Sequence, residues 1–420
     1  MVMPKLIAAS ALPDLLSEGA NVFIQGGSGE PTALLKALRE RGGPPNVSYV
    51  AVFPPGINRW DPAAFAPQST MTAFFATPEL AETVARGATR LLSLPYGEIY
   101  SHLYGQAPVD VALIQVAPTS SRHEYSLGLS VDFVPAALNR ARIVVAEINR
   151  AMPAAPGSPT IPASRIDFAV EVDHPLPEAP DDEPDTISLR LARQVATLVR
   201  DGDTIQTGMG RIPSAVLAAL GEKNDLGFHS GLLTEPVLRL MEAGVITGAR
   251  KPIDRGAAVT GIAFGSQGFY QAIGGRDDVL FRPVAYTHAP GVLRELDRFV
   301  AINSAIEVDL LGQINSEAIG SRQISGVGGL TDFTRGARLA NGGRSIIALT
   351  SRAGLHGASR IVRRVSKVTC PASDMDFVVT EHGVADLREP CAEARAAAII
   401  AIAAPEFRDD LAKSLRNAPP

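Results

Sequence analysis

Cysteine is scarce in this sequence, because Cys370 and Cys391 are the only two among 420 residues. A framework of disulfides needs several paired cysteines, so a small secreted scaffold held together by disulfides is excluded. Such low cysteine usage is typical of proteins that work in a reducing compartment. We therefore expect a cytoplasmic protein.

Long apolar runs and an excess of positive charge are also missing. The longest uninterrupted apolar run, Ala396 to Ala404, has nine residues, whereas a helix that spans a bilayer needs about 20. The formal net charge is −5, and lysine and arginine are scattered along the chain. Neither membrane insertion nor nucleic-acid binding is expected.

The sequence carries no motif for metal or serine chemistry. Its seven histidines show neither H-E-x-x-H nor any paired Cys/His spacing, which are the usual patterns of zinc sites. It has no G-x-S-x-G motif either, so it offers no candidate for the nucleophilic serine of a serine hydrolase. We expect no metal, and carboxylates and glycine loops remain as the groups that could carry chemistry.

Two stretches of the chain share one plan of strand, glycine loop and helix. Residues 18–38 read EGANVFIQGGSGEPTALLKAL, and residues 201–220 read DGDTIQTGMGRIPSAVLAAL. The helical pattern opens at a proline in both, which suits the first turn of a helix. The glycines are Gly26, Gly27 and Gly29 in the first loop and Gly208 and Gly210 in the second. This internal repeat predicts two similar domains.

A proline-rich interval separates the two halves. Eight prolines lie between residues 153 and 184, together with the acidic run 181–183, and proline at this density is incompatible with helix interiors or central strands. We therefore predict domains at 1–185 and 186–420. Continuous apolar runs such as 109–118 and 141–149 are typical of strands buried on both faces. The predicted fold class is α/β with mostly parallel sheets.

A glycine loop that precedes a helix points backbone N–H groups at an anion. Either loop could hold a phosphate, a pyrophosphate or a thioester oxygen, and either could be a plain tight turn. A dinucleotide fingerprint would need a third glycine where Pro213 stands, so NAD binding is weakly supported.

Several ordered blocks resemble one known family. They include GGSGEP (26–31), YSLGLSVDF (125–133), GMGRIPSAVL (208–217), LGFHSGLLTEP (226–236), FGSQGFY (264–270), SGVGGLTDFTRGA (325–337) and DFVVTEHGVADLR (376–388). The chain resembles the acetyl-CoA hydrolase/transferase family, which includes butyrate-type and 4-hydroxybutyrate-type CoA-transferases. The resemblance implies two similar α/β domains with the active site between them. It also implies acyl-CoA and carboxylate substrates and a homo-oligomer, most simply a dimer.

The resemblance also implies positions that contact coenzyme A or the acyl group. Glycine would let backbone donors approach a carbonyl oxygen that becomes anionic during the reaction. Leu330 stands where the family usually has glutamine, which implies a more apolar acyl pocket. The implied positions are Gly208, Gly210, Phe264, Gly265, Ser266, Gly326, Gly328, Gly329 and Leu330. Further candidates for contact with the substrate or CoA are Gly26, Gly27 and Gly29 of the first glycine loop, and Ser230.

The family's nucleophilic glutamate is expected two residues after His229, and Gly231 occupies that position. A covalent glutamyl-CoA intermediate requires a side-chain carboxylate. One hypothesis gives Glu235 the role of nucleophile or base. A second hypothesis has water, held by Glu30, Glu98 or Glu235, attack the thioester directly. A third is a protein that binds CoA esters without catalysis.

Overall fold

The computed structural model of the protein describes residues 3–179, 183–354, 357–389 and 391–416. Pro180, Asp181 and Asp182, which belong to the predicted proline-rich connection, lie outside the described residues. The α/β class with mostly parallel sheets is confirmed.

The strands, in chain order, are β1 (Lys5–Leu6), β2 (Asn21–Ile24), β3 (Ser48–Ala51), β4 (Thr70–Ala73), β5 (Thr89–Leu91), β6 (Val111–Pro118), β7 (Glu124–Ser126), β8 (Ile143–Asn149), β9 (Thr160–Pro162), β10 (Phe168–Val172), β11 (Thr204–Thr207), β12 (Gly227–Phe228), β13 (Leu232–Thr234), β14 (Ala258–Thr260), β15 (Ile262–Phe264), β16 (Val279–Phe281), β17 (Phe299–Ser304), β18 (Glu307–Asp309), β19 (Ile314–Asn315), β20 (Ala318–Ile319), β21 (Arg322–Gln323), β22 (Arg344–Ala348), β23 (Ile361–Val362), β24 (Phe377–Thr380) and β25 (Gly383–Asp386).

The α-helices are α1 (Leu12–Leu15), α2 (Thr32–Arg41), α3 (Ala81–Ala85), α4 (Tyr96–Gly105), α5 (Val134–Arg140), α6 (Thr186–Ala196), α7 (Arg211–Ala219), α8 (Glu235–Glu242), α9 (Gln267–Gly274), α10 (Val284–Thr287), α11 (Pro290–Arg294), α12 (Leu330–Leu339), α13 (Ala392–Ala401) and α14 (Pro405–Arg416). In the described part of the chain, no helix is long and apolar enough to cross a bilayer.

The chain forms two compact units. The first comprises Met1–Pro180 and Val259–Thr287, and the second comprises Asp181–Ala258 and His288–Pro420. The segment 259–287 thus returns to the first unit. The division into two similar α/β domains at 1–185 and 186–420 stays a prediction.

The first unit is built on a parallel sheet in the order β1-β10-β8-β6-β2-β3-β4-β5. Its central strands β6 and β8 are buried along nearly their whole length, as their continuous apolar runs predict. One face packs on α2 through a core that includes Val22, Ile24, Leu34 and Leu113.

The second unit has a sheet in the order β12-β11-β17-β22-β24-β25, in which β25 pairs antiparallel with β24 and the other pairs are parallel. Both units therefore contain a strand, glycine loop and helix, namely β2 to α2 and β11 to α7. The start of the second helix differs from the prediction, because α7 begins at Arg211 and places Pro213 inside its first turn.

The sequence pattern of residues 79–90 predicts one helix, but the helix in the structure is much shorter. Helix α3 ends at Ala85, and β5 begins at Thr89. Gly87 lies between them with φ 75°, a left-handed conformation that ends a helix at little cost when the residue is glycine. The remaining residues complete the edge of the first sheet.

Candidate active site

The turn at residues 229–231 lies at the carboxyl end of β12, where β12 runs parallel to β11. The His229 amide donates a hydrogen bond to the Ile205 carbonyl at 3.1 Å. Ser230 Oγ donates to the Thr207 carbonyl at 3.0 Å. The turn is therefore fixed to the edge of the sheet where α/β proteins usually display reacting groups.

The second glycine loop, residues 208–210, leaves β11 at this same edge and leads into α7. Gly210 has φ 104°, which explains its glycine. A Cβ built on Gly208 would lie 3.9 Å from Pro213 Cγ, its nearest neighbour. Packing therefore does not require glycine at 208, and the sheet brings this loop beside the turn at 229–231.

The ring of His288 occupies the space beside Gly231. A Cβ built on Gly231 would lie 2.7 Å from Cε1 and 3.0 Å from Nε2 of His288. A Cβ built on Gly329 would lie 2.7 Å from the same Nε2. The ring is 1% exposed and lies 4.4 Å from the ring of Phe333, centroid to centroid. The two glycines therefore make room for a buried imidazole.

His288 is neutral at physiological pH. Burial lowers its pKa to about 3, and the nearby His229 acts in the same direction. An imidazole with so low a pKa is a weak proton acceptor, because general bases work best with a pKa near the operating pH. The geometry and the pKa together favour a packing role for this ring.

Glu235 is the first residue of α8, directly after the N-cap residue Thr234. Its side chain is neither fully buried nor fully exposed, whereas Val237 and Met241 on the same helix are buried. A carboxylate in the first turn is stabilised by the helix dipole. Glu235 is thus a carboxylate on a rigid element, four residues along the chain from Gly231.

The SGVGG segment forms the turn before α12. Gly326 is buried, Gly328 has φ 61°, and Gly329 is the N-cap residue of the helix. Leu330 is 6% exposed and belongs to the hydrophobic core of the second unit. Core packing therefore accounts for this leucine without an acyl group.

The first glycine loop makes close steric contacts within the first unit. A Cβ on Gly26 would overlap the Val52 carbonyl oxygen, and one on Gly29 would overlap the amide of Gln25. Gly27 has φ 65°, and its Cβ would overlap Ile262 Cδ1. Each of the three positions therefore requires glycine for a steric reason.

Glu30 holds this glycine loop in place. Its carboxylate accepts hydrogen bonds from Asn58 Nδ2 and Trp60 Nε1, both at 2.7 Å, and from Thr32 Oγ1 at 3.0 Å. Asn58 Oδ1 in turn accepts from the Gly27 amide at 2.7 Å. Glu30 is 4% exposed, and burial raises its pKa although the three hydrogen bonds oppose that effect. With its oxygens engaged by three donors, Glu30 is better suited to positioning the loop than to holding water.

We expect Glu30→Ala to lower the free energy of unfolding by about 3 kcal/mol or more, because it leaves several buried donors without an acceptor at roughly 1–3 kcal/mol each. Glu30→Gln keeps one acceptor oxygen and should lose less. Urea denaturation monitored by circular dichroism measures both. Equal stability of wild type and Glu30→Ala would show that the network contributes nothing.

Four further predicted positions lie in the first unit. Phe264 is buried, and its ring lies 3.1 Å from the position of a Cβ on Gly27. Ser266 is the N-cap residue of α9, with Oγ accepting from the Phe269 amide at 3.3 Å, and a Cβ on Gly265 would clash with the Phe269 ring. Phe264 thus joins the first glycine loop. Glu98 is an exposed residue in the first turn of α4. It belongs neither to the packing around the first glycine loop nor to the start of α9.

A cavity in the second unit holds three arginines that the motifs did not indicate. It has a volume of about 610 Å³ and lies between the first turns of α6 and α7 and the loop after β22. Its charged lining residues are Asp185, Arg211, Arg352, Arg360 and Glu381. Burial lowers the pKa of Arg360, with Glu381 opposing the shift, but a guanidinium remains charged in proteins. The cavity therefore carries a net positive charge.

The three arginines differ in how far they are neutralised. Arg211 pairs with Asp185 at 3.1 Å, and Arg352 pairs with Glu406 at 2.6 Å. Arg360 donates from Nη1 to a backbone carbonyl at 3.5 Å, while its buried Nε has no hydrogen-bond partner among the described residues. A buried donor left unsatisfied is costly, so an anion in this cavity would be stabilised by Arg360. In the described residues, no cluster of three His, Cys, Asp or Glu side chains could hold a metal.

Two models of one protein family match the two halves of this chain. The acetyl-CoA hydrolase/transferase N-terminal domain matches residues 3–178, and the acetyl-CoA hydrolase/transferase C-terminal domain matches residues 265–415. A 4-hydroxybutyrate coenzyme A transferase from Clostridium kluyveri is 40% identical over 313 residues, which covers 74% of this chain and 73% of that protein.

Further relatives extend the match to the whole chain. A succinyl-CoA:cyclohexane-1-carboxylate CoA transferase from Geobacter metallireducens is 35% identical over 84% of this chain and 81% of its own. The crystal structure of RipA from Yersinia pestis superimposes with a TM-score of 0.92 at 30% identity, and the match covers 98% of this chain and 97% of RipA. The chain therefore belongs to the acetyl-CoA hydrolase/transferase family.

Proposed function

We propose that this protein acts on acyl-CoA thioesters, either transferring CoA to a carboxylic acid or hydrolysing the thioester. The observation that carries the proposal is the arginine-lined cavity of the second unit, in a chain of this family. Arg360 lines this cavity together with Arg211 and Arg352, and helix α7 begins at the cavity after the second glycine loop. Guanidinium groups and helix N-termini both bind phosphate, so the cavity suits the phosphates of coenzyme A.

The route we propose has no glutamyl-CoA intermediate at residue 231. Gly231 offers no carboxylate, and the ring of His288 fills the adjacent space. The reaction then has to proceed either through Glu235 or by direct attack on the thioester. Backbone amides at Gly208, Gly210 and the SGVGG turn are the donors that we assign to the developing oxyanion, with Ser230 beside them.

In the hydrolytic form, a water molecule attacks the thioester carbon while Glu235 accepts a proton from it. The tetrahedral intermediate collapses, the C–S bond breaks, and the products are the carboxylic acid and CoA, whose thiolate takes up a proton. In the transfer form, the acceptor carboxylate attacks the same carbon and CoA thiolate leaves. The thiolate then attacks the acceptor's carbonyl of the resulting anhydride, which yields the new thioester and the free carboxylate of the first acyl group.

A second candidate is a protein that binds CoA esters without catalysis. The observation that favours this candidate is the ring of His288, a neutral and weakly basic imidazole that fills the space beside Gly231. Both candidates require CoA binding, and only the first requires turnover. We also propose that the protein works in the cytoplasm, since Cys370 and Cys391 are both free. From its family we further propose a homo-oligomer, whose mass light scattering coupled to gel filtration measures.

We expect Arg360→Gln to raise the KM or Kd for acyl-CoA by roughly tenfold or more, since a hydrogen bond to a charged group contributes about 1.5–3 kcal/mol. The corresponding acyl-pantetheine thioester lacks the nucleotide and its phosphates, and its constants should not change. Arg335→Gln is the matched control, because Arg335 is an exposed arginine of the same unit that pairs with Asp374. An equal loss of affinity for both thioesters, or no loss for either, would show that the phosphates of coenzyme A do not bind in this cavity.

A further inference from the structure

Another cavity, which we call the Arg86 cavity, lies in the first unit. It has a volume of about 520 Å³ and is formed by residues 63–69, just before β4, together with Arg86 and Ala88 from the turn between α3 and β5. Small-molecule sites are typically cavities of about 300–1,000 Å³ with an apolar lining and a few polar groups. Most of this lining is apolar, with Phe65 as its aromatic ring, and its polar residues are Gln68, Ser69 and Arg86. The volume and the lining are therefore those of a small-molecule site.

The hydroxyl group of Ser69 is buried in this lining without a hydrogen bond. The residue is 3% exposed, and its Oγ has no hydrogen-bond partner among the described residues, although its amide donates to the Ala66 carbonyl at 3.3 Å. Most buried polar atoms in proteins have a partner, and an atom without one costs free energy. A ligand atom in the cavity is positioned to supply the missing hydrogen bond.

Arg86 brings a positive charge to the same cavity. Its Nη2 donates to the Ala63 carbonyl at 3.2 Å, which is the one hydrogen bond of this guanidinium in the part of the chain that the structure describes. Burial raises the pKa of Asp61, and Arg86 is among the groups that oppose the rise, so the two lie within electrostatic reach. Asp61 does not line the cavity, however. The remaining N–H groups of Arg86 are therefore available to an anion, and a guanidinium binds a carboxylate through paired donors.

We propose that the Arg86 cavity binds a small carboxylate with an apolar body. Arg86 and Ser69 donate to the carboxylate, and the apolar lining, with the ring of Phe65, covers the body. A cation would meet the charge of Arg86, and a neutral amide would gain less from it than an anion does. The proposal is independent of the acyl-CoA function proposed above, because every residue that carries it belongs to the first unit.

Trp60 reports on this cavity. It is the only tryptophan of the sequence, and its ring lies 6.1 Å from the ring of Phe65, centroid to centroid, at an angle of 76°. Its Nε1 donates to Glu30 at 2.7 Å, so the same contacts lead on to the residue that holds the first glycine loop. A ligand that packs against Phe65 changes the surroundings of Trp60, and tryptophan fluorescence therefore follows binding in this cavity.

The test titrates the whole chain with benzoate, benzenesulfonate, benzamide and acetate, and follows tryptophan fluorescence and the heat of binding. Benzenesulfonate is an anion of the right shape that cannot accept CoA as a thioester, so its binding does not depend on the proposed reaction. We expect saturable binding of benzoate and benzenesulfonate. Benzamide, which lacks the charge, and acetate, which lacks the apolar body, should each bind more weakly by roughly tenfold or more.

Two substitutions in the cavity should weaken the binding of both aromatic anions. Arg86→Gln should raise the Kd by roughly tenfold, the effect of losing a hydrogen bond to a charged group, and Ser69→Ala by roughly threefold or more. Ser69→Ala should also unfold at the same urea concentration as wild type or a higher one, because it removes a buried hydroxyl that has no partner. Arg90→Gln is the matched control, since Arg90 is an exposed arginine of β5 outside the lining, and it should bind as wild type does.

No saturable binding of either aromatic anion, or binding that is unchanged in Arg86→Gln and Ser69→Ala, would overturn the proposal. Binding that is lost in Arg360→Gln but kept in Arg86→Gln would also overturn it, because the anion would then occupy the arginine-lined cavity of the second unit. A Ser69→Ala protein less stable than wild type would contradict the role given to this hydroxyl. A protein that binds benzenesulfonate as expected but turns over no acyl-CoA would contradict the proposed catalytic function alone.

Discussion

Gly231→Glu alone is expected to give a folded protein that forms no CoA adduct, whereas Gly231→Glu combined with His288→Ala is expected to form one. The new Cβ would lie 2.7 Å from the buried ring of His288, so the single variant has no room for a carboxylate beside the thioester. Gly231 is not among the residues with positive φ, so the backbone accepts a side chain there. Removing the ring opens the space, and a positioned nucleophile can have an effective molarity on the order of 10⁵ M or more.

The measurement is mass spectrometry of the peptide that contains residue 231 after incubation with acyl-CoA. His288→Ala alone is the control, and it should show no adduct because it adds no carboxylate. An adduct in the single variant would mean that the ring moves aside easily. No adduct in a double variant that folds and binds CoA would mean that residue 231 does not stand at the family's nucleophile position.

The second large effect concerns the two glycine loops, which look alike in sequence. Gly26→Ala is expected to lower the free energy of unfolding by about 3 kcal/mol or more, because its Cβ would overlap the backbone oxygen of Val52 and overpacking against backbone is hard to relieve. Gly208→Ala should leave stability unchanged or raise it by up to about 1 kcal/mol. Its Cβ would have nothing closer than Pro213 Cγ at 3.9 Å.

Urea denaturation of the two variants under identical conditions checks this contrast. The variants carry the same chemical change in equivalent loops, so each serves as the control for the other. Equal destabilisation of both would mean that the loops are constrained in the same way. A Gly26→Ala protein as stable as wild type would mean that β3 and the residues after it shift to accommodate the added methyl group.

Continuous apolar runs were enough to predict the buried strands β6 and β8 and the α/β class. Long-range packing was not predictable in the same way. Nothing in the sequence predicts that His288 packs against Gly231. The contact exists because the imidazole ring fills the space that a side chain at residue 231 would occupy. Leu330 stands where the family usually has glutamine, and this difference predicts an acyl-pocket residue. In the structure its side chain lies instead in a core assembled from distant parts of the chain.

The candidate site shows the same division between local and distant information. Local patterns in the sequence indicate the glycine loops, the turn at 229–231 and Glu235. The sheet of the second unit places the second glycine loop and this turn at one edge. The role of Glu30 depends on Asn58 and Trp60, which no spacing rule connects to it. Arg360 stands out only because its Nε is buried without a hydrogen-bond partner in the part of the chain that the structure describes. The sequence could not indicate this arginine, because a sequence pattern does not report burial.

The central claim is thioester chemistry without a covalent CoA adduct on the enzyme. The most direct test incubates the wild-type protein with a panel of acyl-CoAs, with and without acetate, and follows free CoA, new thioester and intact protein mass after a rapid quench. We predict that thioester is consumed while the protein mass stays unchanged, with acetyl-CoA appearing in the presence of acetate if the reaction is transfer. Saturable binding of acyl-CoA with no consumption, or a CoA adduct on the wild-type protein, would contradict the account.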